Sequence, residues 1–404
     1  MSKGKIVLAY SGGLDTSVAI RWLQEQFDAE IITLTVDLGM SELEDSRKRA
    51  LNIGATKALT IDGTRTFIDD FVFPALQAGA IYEEQYPLAT ALGRPLIARY
   101  LVDAAQQEGA YAVAHGCTGK GNDQVRLDVS VAALAPELKV IAPIREWGMS
   151  REEEIEYAQA NSIPLQTKGS SYSIDENLWG RSIEAGNLEN PWNEPPEEVY
   201  TWTRAISSTP EMPLYINVTF QNGLPIAIDE EHMKGVDLTT HLNRLAGEHG
   251  VGRIDHVENR LVGIKSREVY EAPAAVVLHN AHKALEALTL SKDQIRMKTR
   301  ISQEYADMVY NGLWFTAHRH DLDTYVQSTQ RFVSGTVRLR LNRGNCTVVG
   351  RSSPYALYQY ELATYDRGDQ FDHTSAEGFI SLYGLPVRTQ AQVQKGDKLD
   401  TNDT

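Results

Sequence analysis

Directly behind the apolar segment Lys5–Tyr10 the chain runs Ser11-Gly12-Gly13-Leu14-Asp15-Thr16-Ser17 and passes into the helical pattern Val18–Gln26. This junction constrains the fold more than any other stretch. A strand that ends in two glycines and opens straight into a helix puts unpaired backbone N–H groups and a helix N-terminus at one point, and that point attracts phosphate. The glycines let the backbone approach a ligand closely, while Ser11, Thr16 and Ser17 add hydroxyl donors. A plainer reading leaves Gly12-Gly13 as a tight turn and Asp15 as the cap of a helix that begins at Thr16. The motif has neither the lysine and spacing of the common phosphate loop nor the three glycines of the dinucleotide pattern.

The chain on either side fits a nucleotide-binding fold. Lys5–Tyr10, a helix to Gln26, Glu30–Val36, a helix over Glu42–Asn52 and Lys57–Ile61 alternate in the rhythm of a parallel sheet. Tyr111–Ala114 and Val140–Ala142 are expected to complete it. Ligands gather beyond the carboxyl ends of such strands, where Ser11–Ser17, Asp37–Gly39 and His115–Asp123 all fall. After Pro164 the pattern changes to hairpins. Leu214, Ile216, Val218 and Phe220 alternate with polar residues ahead of Asn222-Gly223, and Val337, Leu339 and Leu341 do so ahead of Arg343-Gly344. Helices are expected between them over Ala274–Leu288 and Gln294–Tyr310. Beyond Asp366 the chain turns polar, with a short helix at Ala376–Tyr383 capped by Ser375 and stopped by Gly384-Leu-Pro386. Three parts follow: an α/β parallel-sheet nucleotide-binding domain over residues 1–165, an α+β domain over 166–365, and an arm over 366–404. A short helix on a polar arm cannot hold itself, so the arm is expected to pack on a neighbouring subunit.

With 404 residues and 42% hydrophobic content the chain can bury a large core. Its formal net charge of −15 opposes attraction to a phosphate backbone or an anionic membrane, so neither a nucleic acid nor a membrane is expected as partner. Cys117 and Cys346 form no CxxC pair, which leaves no disulfide framework and no zinc site and fits a reducing cytoplasm. The apolar stretch near the start is too short for a signal peptide core or a membrane helix.

A second constellation, His115-Gly116-Cys117-Thr118-Gly119-Lys120-Gly121-Asn122-Asp123-Gln124-Val125-Arg126, packs three glycines into six residues and then sends a polar row into a helix. It describes either an anion or amino-acid site or a flexible turn capped by Asn122 or Asp123. Arg126 follows Asp123 by three residues, so both side chains share one helix face and suit a zwitterionic ligand. Cys117 reads as a spectator.

Together with Tyr82-Glu-Glu-Gln-Tyr86-Pro-Leu-Ala-Thr90-Ala-Leu-Gly-Arg94-Pro95, these motifs resemble the argininosuccinate synthase family within the ATP pyrophosphatase group. The resemblance continues through Ser170-Ser-Tyr-Ser173-Ile-Asp-Glu-Asn-Leu-Trp-Gly-Arg-Ser182 and Val257-Glu258-Asn259-Arg260 to Glu268-Val-Tyr270-Glu-Ala-Pro. It implies a Rossmann-like, HUP-type first domain followed by a synthetase domain and a C-terminal oligomerisation tail, in a homotetramer. It further implies that Ala9, Tyr10, Ser11, Gly12, Gly13, Leu14, Asp15, Thr16, Ser17, Val36 and Gly116 hold ATP. Thr118, Asn122 and Asp123 would meet aspartate, and Tyr86, Asn122, Arg126, Ser173, Ser182, Glu258 and Tyr270 would hold citrulline. Family members often carry serine where this chain has Ala91 and alanine where it has Gly93, so no side-chain contact is assigned at 91.

The reaction implied is ATP + citrulline + aspartate → AMP + pyrophosphate + argininosuccinate, a step of arginine biosynthesis. The ureido oxygen of citrulline is a poor leaving group. It must first attack the α-phosphate, giving a citrullyl-AMP from which the aspartate amine displaces AMP. Asp15, Lys120 and Asp123 are the candidate catalytic side chains. Mg2+, the loop amides and Lys120 neutralise pyrophosphate, while the ammonium proton of aspartate passes to substrate, water or Asp123. No metal ligands are assigned. A tRNA-modifying enzyme of the same group, or a silent nucleotide-binding module, are the alternatives.

Overall fold

The structure, a computed structural model, describes residues 4–39, 43–164 and 172–394. Glu42, the expected boundary at 165/166, and Ser170 and Ser171 of the quoted motif lie outside the described residues. Those described divide into two compact units that meet between Tyr355 and Ala356.

In the first unit β1 (Lys5–Ala9), β2 (Glu30–Asp37), β3 (Lys57–Asp62), β4 (Ala112–Ala114) and β5 (Lys139–Ile141) form one sheet in the order β3-β2-β1-β4-β5, parallel throughout. Ile6, Val7 and Leu8 are all fully buried, because β1 is covered on both faces. Ile6 and Leu8 pack with Val18, Ile20 and Leu23 of the helix Leu14–Phe27, and Val7 packs with Ala98, Leu101 and Val102 of the helix Ala89–Glu108. The strand order reverses between β1 and β4. The crevice beyond their carboxyl ends is where such sheets take ligands, and the two glycine-rich loops leave from these two strands.

Next come β6 (Ser173–Asn177) and β7 (Gly180–Glu184), β8 (Leu214–Gln221), β9 (Leu224–Ile228) and β10 (Glu231–His232), β11 (Arg253–Asn259) and β12 (Lys265–Glu271), then β13 (Gly335–Asn342) and β14 (Asn345–Ser352). The two expected hairpins are present, and both turns put Asn or Arg and then Gly at positive φ: Asn222 at 50° and Gly223 at 76°, Arg343 at 46° and Gly344 at 79°. They join edge to edge through β8 and β13 in a five-stranded antiparallel sheet. Ile216, Val218, Val337, Leu339 and Leu341 bury their side chains in one cluster with Val277, Leu278 and Leu285 of the helix Pro273–Thr289.

A four-stranded sheet, β11-β12-β7-β6, was not expected from the alternation of residues. Its β6–β7 turn is pinned to the first sheet and its helix. Asn177 Nδ2 donates to the Ala89 carbonyl at 2.8 Å, Trp179 Nε1 to the Pro87 carbonyl at 2.9 Å, and the Leu178 amide to the Leu38 carbonyl at 2.8 Å. This contact carries the sheet face to the mouth of the crevice.

Two helix boundaries depart from expectation. The first helix begins at Leu14, so Asp15 lies in its first turn and the cap position falls to Gly13, with no side-chain cap. In the second unit Asp372, not Ser375, caps the helix His373–Tyr383 by accepting from the amides of Thr374 and Ser375. The helix ends at Tyr383 with Gly384 as its C-cap, where Gly384-Leu-Pro386 was expected to stop it. A second helix, Leu385–Val393, starts there with proline in its first turn, where a missing N–H costs nothing.

Candidate active site

The first loop is built around Gly12, whose φ of 80° suits glycine and whose added Cβ would meet Ser46 Oγ at 2.9 Å. Arg49 Nη1 donates to the Gly12 carbonyl at 2.5 Å and so fixes the turn. Because Gly13 supplies no capping side chain, the first turn of this helix has no side-chain acceptor at the cap position. Ser11 Oγ and Thr16 Oγ1 lie 3.2 Å apart, and the Tyr10 hydroxyl lies 3.1 Å from Ser17 Oγ. Asp15 turns to the side and forms an ion pair with Arg151, which also binds Glu154 at 3.1 Å. Burial and the nearby Asp15 push the Glu154 carboxyl up to about 7, against Arg151. Val36 closes the neighbouring edge near the end of β2, half-buried.

The second loop touches the first. A Cβ on Gly116 would stand 2.7 Å from Thr16 Cγ2, so the glycine is what lets the two loops meet. Thr118 and Lys120 are exposed on this loop. His115 Nδ1 accepts from the Cys117 amide at 3.2 Å and Nε2 lies 2.7 Å from Asp128, an arrangement that stiffens the loop base. Burial pushes the Cys117 thiol up to about 12, consistent with a spectator.

Asn122 occupies the N-cap position of the helix Asp123–Leu134 but does not cap it. Instead Asn122 Nδ2 donates to the Tyr310 hydroxyl at 2.8 Å, and its Oδ1 accepts from the Leu261 amide at 2.9 Å. This side chain thereby joins the loop to the second half of the unit. Asp123 and Arg126 do share a face, but they pair with each other at 2.9 Å, and Arg94 Nη2 holds the second Asp123 oxygen at 2.8 Å while also binding Asp175. Burial works to raise the Asp123 carboxyl; Arg94 and Arg126 outweigh it and hold the group below the ordinary carboxylate value. Asp175 moves the other way, because burial and the charge of Asp123 outweigh Arg94.

Around Arg126 stands an aromatic wall. Arg126 Nε donates to the Tyr310 carbonyl at 2.9 Å and its guanidinium lies 4.8 Å from the centre of the Tyr310 ring. Tyr82 stacks on Tyr310 with centroids 3.6 Å apart, and Tyr86 stacks on Tyr270 at 4.4 Å. Both tyrosines come from a tight turn that holds Glu83 and Glu84 at φ of 48° and 62°. The hydroxyls of Tyr270 and Tyr310 each donate to Glu258, at 2.6 Å, one to each carboxylate oxygen. Burial, then the Glu258 charge, raise both phenols above their usual value, so both remain donors.

Ser182 pairs with Tyr270 across β7 and β12, and its hydroxyl donates to the Asp175 carbonyl at 3.3 Å. Ser173 is exposed at the start of β6 opposite Glu184, on the same sheet face. The structure thus gathers Tyr86, Asn122, Asp123, Arg126, Ser182, Glu258 and Tyr270 into one cleft. Ser173 lies at its rim. Tyr310, Arg94 and Asp175 complete that cleft and were not singled out from sequence. Arg94 lay within a quoted motif, but Tyr310 ends the helix Lys292–Tyr310 with no local signal.

Residues 5–164 match the model of the argininosuccinate synthase N-terminal HUP domain, and residues 172–390 match that of the C-terminal domain. The chain belongs to the argininosuccinate synthase family. The argininosuccinate synthase of Dehalococcoides mccartyi is 57% identical over 96% of this chain and 97% of its own length. Those of Symbiobacterium thermophilum and Gloeobacter violaceus are 56% and 58% identical over 98% of this chain, covering 99% and 100% of their own. Against this family background, Ala91 is fully buried and offers the cleft only its amide, which donates to the Tyr86 hydroxyl at 3.4 Å. At Gly93 an added Cβ would come within 3.0 Å of Leu38.

Proposed function

We infer that this chain joins citrulline to aspartate at the expense of ATP, through a citrullyl-AMP, with AMP and pyrophosphate as products. Family membership along both halves of the chain carries the reading. It decides against a tRNA-modifying enzyme, and against a silent nucleotide-binding module, which would leave Arg126, Glu258 and Tyr270 without a task.

The site residues are proposed in the roles read from sequence. Ala9–Ser17, Val36 and Gly116 hold ATP, with the uncapped first-turn amides and the Ser11 and Thr16 hydroxyls facing the pyrophosphate. Mg2+ enters as part of the MgATP substrate and offsets phosphate charge. Citrulline lies along the aromatic wall, its carboxylate toward Arg126 and its ammonium toward Glu258, with Tyr86, Asn122, Ser173, Ser182 and Tyr270 about it. Thr118, Asn122 and Asp123 hold aspartate. The low basicity of Asp123 between two guanidiniums favours a positioning role over that of general base, which leaves substrate or water to take the ammonium proton. Lys120, exposed on a glycine-rich loop beside the crevice, reaches for the leaving pyrophosphate. Asp15 acts through Arg151 and Glu154, which tie the loop to the helix Arg151–Ala160. Catalysis is then mostly positioning and charge stabilisation.

The three-part division at 165 and 365 is retained as a proposal. So are a homotetramer and a cytoplasmic location. Support for a subunit-binding arm comes from Phe379, Ile380, Leu382, Tyr383 and Val387, which the arm exposes on its two helices.

Sustained pyrophosphate release from ATP should require both citrulline and aspartate, and omission of aspartate should limit release to at most one turnover per site. Sustained release without citrulline would contradict the assignment.

A further inference from the structure

The four-stranded sheet brings more negative charge to the cleft than the proposed reaction uses. Register places Glu258 opposite Ser266, Glu268 opposite His256 and Tyr270 opposite Ser182, and alternation along each strand sets Glu184, Glu258, Arg260, Glu268 and Tyr270 on one face. Glu184, Glu258 and Glu268 stand there against the guanidinium of Arg260, while Asp175, on the same face opposite Ser182, is held by Arg94. Arg260 Nη2 donates to Glu268 at 2.6 Å and also binds Glu184, while its Nε donates to Ser266 at 2.7 Å. The neighbouring basic side chains point elsewhere: Arg126 holds Asp123, and His256, across from Glu268, sets Nε2 3.1 Å from Glu83. Glu258 and Glu268 are both buried. A buried group of this kind relieves its excess charge by keeping a proton. Glu258 is not the carrier, since both of its oxygens accept phenolic hydrogens.

We propose that Glu268 keeps a proton while the cleft is empty, and that the citrulline ammonium arriving at Glu258 drives this proton into solvent. Resting on the reading of Glu258 given above, this makes Glu268 a positioning residue that adjusts the charge of the cleft to a zwitterion. Burial, then the charges of Glu184 and Glu258, together with a hydrogen bond to Glu184, push the Glu268 carboxyl up to about 9 against Arg260. The incoming ammonium offsets those carboxylates and lowers the Glu268 carboxyl back toward the ordinary carboxylate range, so that it ionises. The empty site therefore binds more protons than the occupied one. Citrulline affinity must rise with pH across the neutral range, by up to about tenfold per pH unit for one proton released.

Calorimetric titration of citrulline into the full-length enzyme, loaded with an ATP analogue that cannot transfer its adenylyl group, tests this in two buffers of different ionisation enthalpy. Near pH 8 the unaltered chain should release roughly half a proton or more per citrulline. Glu268→Gln should remove most of that release and flatten the pH dependence of affinity, and Glu268→Asp should restore both. A release that is absent from the unaltered chain, or unchanged in Glu268→Gln, overturns the proposal. Glu258→Gln separates the two levels: full citrulline affinity in that variant would strike the reading of Glu258, whereas the proton count strikes only the role of Glu268.

Discussion

Gly12→Val should abolish ATP-dependent turnover in a chain that still folds. Gly12 sits at φ of 80°, where a β-branched residue is strongly disfavoured, and the first added carbon would press on Ser46 Oγ at 2.9 Å. The strain amounts to roughly 1–3 kcal/mol, which is small beside a total stability of about 5–15 kcal/mol. The fold survives it. What does not survive is the loop geometry, because relieving the positive φ at residue 12 turns the backbone and carries the first-turn amides with it. A displacement of about 1 Å in a positioning element costs on the order of 100-fold in rate, and here the amides face the charge that grows as the bond to the α-phosphate breaks. Pyrophosphate release measured beside a thermal melt checks both halves. Normal turnover in a folded Gly12→Val chain would remove the nucleotide assignment from this loop.

The second large effect concerns citrulline. Removing either pole of the proposed zwitterion site, by Arg126→Ala or Glu258→Gln, should weaken citrulline by roughly 2–5 kcal/mol, the range for losing one partner of a buried charge pair. Glu258→Gln is the cleaner change. Glutamine keeps the shape and one acceptor for the Tyr270 and Tyr310 hydroxyls, whereas Arg126 also anchors the Tyr310 carbonyl and Asp123. ATP affinity should change little in either variant. Equal losses for ATP and citrulline would mean that these groups hold the cleft together and do not read the ligand.

The first sheet was legible because its inner strands β1 and β2 are buried on both faces, and Ile6-Val7-Leu8 and Ile31-Ile32 therefore appear as unbroken apolar runs. The loops leaving β1 and β4 were legible for the same reason, since glycine and hydroxyl residues directly after such runs have few other uses. The cleft sheet was hidden by its chemistry. On β11 and β12 the buried positions include Glu258, Glu268 and Tyr270, while Val257 is exposed, so a polarity pattern assigns the faces backwards. Buried charge is stable there only because Arg260, Tyr270 and Tyr310 satisfy it, and no local window shows those partners. Tyr310 lies 184 residues from the Arg126 it supports. The helix Leu385–Val393 was missed because its proline reads equally as a stop and as a first turn.

The central claim is that citrulline oxygen, not water or aspartate, attacks the α-phosphate. Citrulline labelled with heavy oxygen in its ureido group, carried to complete turnover with unlabelled ATP and aspartate, tests this by mass spectrometry of the products. A citrullyl-AMP intermediate transfers that oxygen, so the label should be recovered in AMP and be absent from pyrophosphate. Label in pyrophosphate, unlabelled AMP, or the appearance of ADP and phosphate would contradict it.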